Sequence, residues 1–124
     1  PFFCEKMKSG TLPITDKRMT RFWITLNQAV EFVIKSLERM VGGELFVPKL
    51  PSMNVVDLAK AICPKCKIEI IGIRPGEKIH EEMITSSDSY STFDIGKCYV
   101  IVNPSNTKIL NYYNVLQFFL IPVF

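Results

Sequence analysis

Apolar residues recur at helical spacing over one stretch of the chain: Leu26, Ala29, Val30, Val33, Leu37, Met40 and Val41 form a single stripe. Thr25, three residues ahead of Gln28, supplies a capping box that starts the helix, and Gly42-Gly43 is expected to stop it in the left-handed region. Phe32 and Ile34 widen the apolar surface, so this helix expects neighbours on two sides. Upstream, residues 1–10 read as the end of a helix closed by Ser9-Gly10, followed by short extended pieces at Leu12-Pro13-Ile14 and Phe22-Trp23-Ile24. Downstream, Glu44 to Val47 predicts a strand. Ser52 and Asn54 compete to cap a helix over 54–62 that buries Val55, Leu58, Ala59 and Ile62 and ends at Pro64. Lys67 to Ile73 predicts a half-buried strand, Glu77 to Met83 a helix, and Cys98 to Val102 a last strand before Asn103-Pro104. The class is α/β with mixed order and no repeats.

With 124 residues, one domain is the ceiling, and 48% hydrophobic residues suffice for a core without metal or disulfides. The net charge of +3 lies wholly in residues 1–21, which argues against a nucleic-acid face. Residues 109–124 carry no charge, but Asn111, Asn114 and Gln117 interrupt them and they are too short to span a bilayer. They read as a core-seeking or partner-seeking tail, with Tyr112, Tyr113, Phe118, Phe119 and Phe124 its aromatic members. Pro1 stands where a translation start would carry Met, as expected of a processed or partial chain. Four sparse cysteines do not make a secreted disulfide scaffold, and a cytoplasmic location is expected.

Two segments carry chemistry, both directed at anions. In Ile14 to Thr25, Arg18 and Arg21 with the Thr20 hydroxyl offer guanidinium forks that match phosphate oxygens. In Gly72-Ile73-Arg74-Pro75-Gly76-Glu77-Lys78, a strand delivers Arg74 to its end and Pro75-Gly76 turns the backbone. The helix expected next would aim free amides at a diphosphate. Glu77 is suited to accept from ribose hydroxyls, or else is a carboxylate favoured at a helix start.

The run LPITDKRMTRFWITLNQAVEFVIKSLERMVGGELFVPKLPSMNVVDLAKAI, followed by IIGIRPGEKIHEEMI, resembles the C-terminal part of bacterial UDP-N-acetylglucosamine 4,6-dehydratases. These are the inverting enzymes of pseudaminic acid and surface-polysaccharide synthesis, within the extended short-chain dehydrogenase superfamily. The resemblance runs from Pro1 to about Pro104. It implies a partial UDP-sugar substrate-binding region over 1–104 and an unmatched tail over 105–124. It also implies that Arg21 and Arg74 take the diphosphate, Glu77 and Lys78 the nucleotide end, and Met7 and Leu12 the uracil. The strand at Glu44 to Val47 would join the parallel sheet of a missing dinucleotide-binding domain. In the family a bound NADP oxidises the sugar at C4, a base removes the C5 proton, the C6 hydroxyl leaves, and the hydride returns to C6.

This sequence has no Gly-x-x-Gly-x-x-Gly loop, and Tyr90, Tyr99, Tyr112 and Tyr113 lack a lysine four residues later. Catalytic residues, a cofactor and a metal are therefore not expected on this chain, and alone it should not turn over. Expected partners are UDP-N-acetylglucosamine or a related UDP-sugar, the dinucleotide-binding domain and a second copy of the chain, with no nucleic acid or membrane. Two rival readings are a non-catalytic piece docking on a full-length dehydratase and a zinc module built on Cys63 and Cys66. Cys63-Pro64-Lys65-Cys66 has half a zinc site's spacing, yet Cys4, Cys98 and His80 are isolated, so incidental thiols are favoured. His80 is read as a packed or solvated residue, not a general base.

Overall fold

A computed structural model describes residues 2–116 and 119–120. In chain order the elements are α1 (Phe2–Lys6), a 3-10 turn (Met7–Ser9), β1 (Thr11–Ile14), β2 (Thr20–Phe22), α2 (Leu26–Arg39), β3 (Leu45–Pro48) and β4 (Ser52–Asn54). There follow α3 (Val55–Ile62), β5 (Lys67–Ile70), α4 (Ser86–Ser89), β6 (Thr92–Asp94), β7 (Cys98–Ile101), α5 (Thr107–Val115) and β8 (Phe119–Leu120). The mixed α/β class matches the sequence expectation. The elements fall into two compact units, each assembled from two stretches of chain: residues up to Trp23 with Pro51–Glu81, and Ile24–Leu50 with residues from Glu82 onward.

In the first unit, α1 and its 3-10 turn end at Gly10, whose φ of 73° is the left-handed position that glycine adopts without a Cβ penalty. β1 then pairs in parallel with β5, from Thr11↔Lys67 to Ile14↔Ile70. The alternation of β1 sends Leu12 and Ile14 inward, at 0% and 1% exposure, where they meet Ala59 of α3 in one buried cluster. Asn54 caps α3, its side-chain oxygen accepting from the Val56 amide at 2.8 Å. Ser52 lies instead in β4, antiparallel to β2. α3 ends at Cys63 ahead of Pro64, and Cys63 is joined to Cys66 by a disulfide.

The second unit holds α2 and an antiparallel sheet in the order β3-β7-β6-β8. Its core is Phe93, Val100, Val102, Ile109 and Tyr113, with the Phe93 and Tyr113 rings stacked at 5.7 Å. The uncharged tail is core-seeking at Ile109 and Tyr113 of α5. Phe118 and Phe124 lie outside the described residues, and of Phe119 only the backbone is described.

Both halves of the Thr25 capping box are present: Thr25 Oγ1 accepts from the Gln28 amide at 3.3 Å, and Gln28 Oε1 accepts from the Thr25 amide at 2.9 Å. None of the α2 residues is buried, and Leu26 and Leu37 are 80% and 64% exposed. Within its unit the helix thus keeps an apolar face open.

Three expectations are corrected. α2 stops at Arg39 and not at the glycine pair: Met40 turns extended at ψ 140°, and the Glu44 carboxylate accepts from the Val41 and Gly42 amides at 2.6 Å each. The strand near Glu44 pairs antiparallel with β7 along one edge. The strand from Lys67 ends at Ile70, because Gly72 adopts φ 87°, outside strand geometry, and Ile71 and Ile73 stay exposed. Glu77 to Met83 forms no helix. No helix among the described residues is long and apolar enough to cross a membrane.

Candidate functional site

Every residue proposed from the sequence for ligand contact falls in the first unit. At the first arginine motif, Asp16 sits in a turn and accepts from the Arg18 amide, from its Nε at 3.0 Å and from its Nη2 at 2.8 Å. This two-pronged pairing holds the Asp16 carboxyl down at about 2, well below the usual carboxylate range, and raises the Arg18 guanidinium. Arg18 is therefore engaged by a carboxylate, and the expected two-arginine clamp is not assembled.

Arg21 is half-buried and turned toward the chain. Its Nη1 donates to the carbonyls of Thr20 at 2.7 Å and Ile79 at 3.1 Å, and its Nη2 donates to the carbonyl of Lys78 at 3.0 Å and to Met19 Sδ at 3.5 Å. The Thr20 amide also donates to Ile79 O at 3.1 Å, and the Thr20 hydroxyl pairs with His80 Nδ1 at 2.8 Å. β2 is itself anchored by Met19, which is 2% exposed and whose carbonyl accepts from the Val55 amide.

The second motif forms a tight turn in place of a helix start. Pro75 occupies the second position, where its fixed φ fits, and Gly76 the third at φ 84°, as a type II turn requires. The Glu77 amide donates to Arg74 O at 3.1 Å, and Glu77 Oε2 accepts from the Arg74 amide at 2.9 Å. One carboxylate oxygen of Glu77 thus closes the turn, and neither the diphosphate-binding helix terminus nor the helix-start carboxylate expected from the sequence exists. Arg74 at the start of the turn and Lys78 directly after it are both exposed. Among the described residues, Arg74's guanidinium donates to no protein acceptor. A guanidinium fork and an ammonium are each groups suited to phosphate oxygens.

Met7 is 44% exposed beside β1, whereas the Leu12 side chain lies wholly in the core. No hydrogen bond or ion pair among the described residues links Met7 or Leu12 to the Arg74–His80 segment. Sequence reasoning missed that the carbonyls of Lys78 and Ile79 are the receptors for Arg21, a long-range pairing that no local spacing announces.

The zinc reading is overturned. Cys63 and Cys66 are bonded to each other, and no group of three or more His, Cys, Asp or Glu among the described residues is placed to hold a metal ion. Cys4 is exposed and Cys98 buried, both as free thiols.

Residues 1–103 match the family described as polysaccharide biosynthesis protein. Over 103 residues the chain is 53% identical to a UDP-N-acetylglucosamine 4,6-dehydratase (inverting) of Campylobacter jejuni, covering 82% of this chain and 31% of that protein. A UDP-glucose 4-epimerase of Rickettsia canadensis is 38% identical over 117 residues, covering 90% of this chain and 34% of the relative. Among solved structures, Pen from Bacillus thuringiensis superposes with a TM-score of 0.77 at 34% identity, covering 84% of this chain and 35% of that one. The chain spans about a third of the length of the curated relatives it matches.

Proposed function

Because the chain belongs to the polysaccharide biosynthesis protein family, we propose that it forms the UDP-sugar-binding, C-terminal part of a UDP-N-acetylglucosamine 4,6-dehydratase serving surface-glycan synthesis. The observation that carries this reading is the 53% identity over 103 residues to the inverting dehydratase, against 38% to the epimerase. Arg74 and Lys78 take the diphosphate, the remaining oxygen of Glu77 accepts from ribose hydroxyls, and Met7 borders the uracil. Arg21 belongs to the same site through the backbone it holds.

The reaction of a full-length enzyme needs NADP, which carries the hydride between C4 and C6. The residues present here do not fit that cofactor, since no Gly-x-x-Gly-x-x-Gly cradle occurs among them. No catalytic step is assigned to this chain. Its part is to bind and orient the nucleotide sugar, with a dinucleotide-binding domain as partner and the exposed face of α2 as a surface for it. The same reading places the protein in the cytoplasm.

Isothermal titration of the chain with UDP-N-acetylglucosamine tests the proposal. Saturable binding that Arg74→Ala weakens at least tenfold supports it. Stronger binding of UDP-glucose would move the assignment toward the epimerase relatives, and no binding of either sugar would refute it.

A further inference from the structure

Cys63 and Cys66 are bonded to each other across the turn that joins α3 to β5, and binding of a nucleotide sugar makes no use of that bond. Its position is not that of a structural staple. The bond links residues three apart in sequence, and so short a loop removes little freedom from the unfolded chain compared with a long-range link. Both cysteines are only partly buried, so the bond is not sealed in the core. The surrounding fold has other ties: Asn54 caps α3, the Cys63 amide donates to Ala59 O at 2.9 Å, and β1 pairs with β5 from Thr11↔Lys67 to Ile14↔Ile70. In the cytoplasm, where the UDP-sugar reading places the chain, thiols are kept reduced, and the disulfides that form there are chiefly transient, redox-responsive ones.

We propose that Cys63 and Cys66 form a reversible thiol–disulfide exchange site for a small thiol bearing carboxylates, of the glutathione class, and that its state sets how firmly the α3–β5 turn is held. The thiolate of one such molecule attacks a cysteine sulfur; the S–S bond breaks, a mixed disulfide forms, and the other cysteine leaves as a thiolate and takes up a proton. A second small thiolate attacks the small-thiol sulfur of the mixed disulfide and releases the remaining cysteine in the same way. The protein bond is thus reduced by two electrons to two thiols, and two small thiols are oxidised to one disulfide. In the oxidised turn the bond backs two hydrogen bonds, from the Cys66 amide to Cys63 O at 3.1 Å and from the Lys67 amide to Gly10 O at 2.9 Å. After reduction these hold the turn unaided. The reduced form has an acceptor ready, since Cys66 Sγ lies 3.8 Å from the Met7 carbonyl, within reach of an S–H donor. Charge selects the reagent: the exposed Lys6, Lys8, Lys60, Lys65 and Lys67 stand within three residues of Met7, Cys63 or Cys66, against two glutamates, and favour the approach of an anionic thiol.

The full chain equilibrated in glutathione buffers, from mainly oxidised to mainly reduced, tests this. Trapping with iodoacetamide followed by peptide mass mapping reads Cys63 and Cys66 apart from the free thiols of Cys4 and Cys98. The pair should pass from disulfide to dithiol and back, with the circular-dichroism spectrum unchanged. A bond that persists in excess reduced glutathione, loss of the fold on reduction, or thiols that never pair in excess oxidised glutathione would each overturn the proposal. Amide hydrogen exchange at Cys66 and Lys67 should quicken several-fold on reduction, and equal exchange in the two states overturns the hold on the turn. A chain carrying Cys63→Ser and Cys66→Ser together should exchange alike in both buffers; a response that survives there belongs to Cys4 or Cys98 and sinks the assignment. At matched thiolate concentration and low salt, glutathione should reduce the bond faster than the cationic thiol cysteamine, with the gap closing at high salt. Cysteamine equal or faster at low salt overturns the anionic reagent. None of these outcomes depends on whether the chain binds a UDP-sugar.

Discussion

Leu12→Ala separates a core residue from a ligand contact. The resemblance put Leu12 at the uracil, but the structure gives its side chain no exposure and packs it with Ile14 and Ala59. Truncation removes about three methylene equivalents of burial, roughly 2.5 kcal/mol by transfer. The cavity left behind adds up to about 1 kcal/mol. Phe3, Val55, Val56 and Ile68 line the cluster while only partly buried, so they are free to lean inward and hold the cavity term small. The total is about 3 kcal/mol, a large share of the ~5–15 kcal/mol that stabilises a typical domain. Urea unfolding followed through Trp23 reads it, since Trp23 is the chain's single tryptophan and lies in the same unit. At a slope of about 2 kcal/mol per molar, the midpoint falls by roughly 1.5 M, whereas Leu12→Ile, which conserves volume, shifts it by less than half of that. A midpoint unmoved by Leu12→Ala together with weakened UDP binding would place Leu12 at the ligand surface and refute the burial argument.

Thr25→Ala removes one limb of the capping box at an exposed helix start and should cost about 1 kcal/mol, with Thr25→Ser restoring most of it, as read by urea unfolding monitored at 222 nm. Phe93→Ala, at the centre of the second unit's core, should cost about 3–5 kcal/mol in the same assay. The Asp16 carboxyl is held at about 2 by Arg18, below the roughly 3.9 of an unfolded aspartate, so its contribution is complete above about pH 4 and is lost as the pH falls toward 2. Side-chain NMR titration should show that low midpoint moving up in Arg18→Ala. A normal Asp16 midpoint in the unsubstituted chain would sink the pairing.

Elements set by signals a few residues long were legible. Thr25 with Gln28, Asn54 ahead of the α3 stripe and Gly10 after the 3-10 turn each report a local hydrogen bond or a local φ. The apolar run Ile70-Ile71-Gly72-Ile73 read as one strand because its composition favours extension, but the positive φ at Gly72 cuts it short. Glu77 to Met83 read as a helix with Ile79 and Met83 on one side. A helix that short gains little from its own hydrogen bonds, and the carbonyls of Lys78 and Ile79 are drawn sideways to Arg21 and Thr20 instead of to residues four further on. One local signal was overlooked: Thr85 with Asp88 caps α4, the hydroxyl accepting from the Asp88 amide at 3.3 Å. At the site, the turn at Pro75-Gly76 was legible from its residue types. The engagement of Arg18 by Asp16 and of Arg21 by backbone depends on where side chains point, which spacing does not encode.

The pairing of Thr11 with Lys67 sets an order of events during synthesis. The ribosome makes β1 long before β5 exists, and at about 5–20 residues per second the 56 residues from Leu12 through Lys67 take roughly 3–11 s to add. Through most of that interval Leu12 and Ile14 have neither their sheet partner nor Ala59, and nascent β1 is open to chaperones and to mispairing. Residues 24–50, which belong to the other unit, are made inside this same interval and wait in turn for β6 and β7. Neither unit is encoded by one continuous stretch of gene, so a stop codon after Glu81 would supply every piece of the first while stranding α2 and β3 without the strands that complete their sheet.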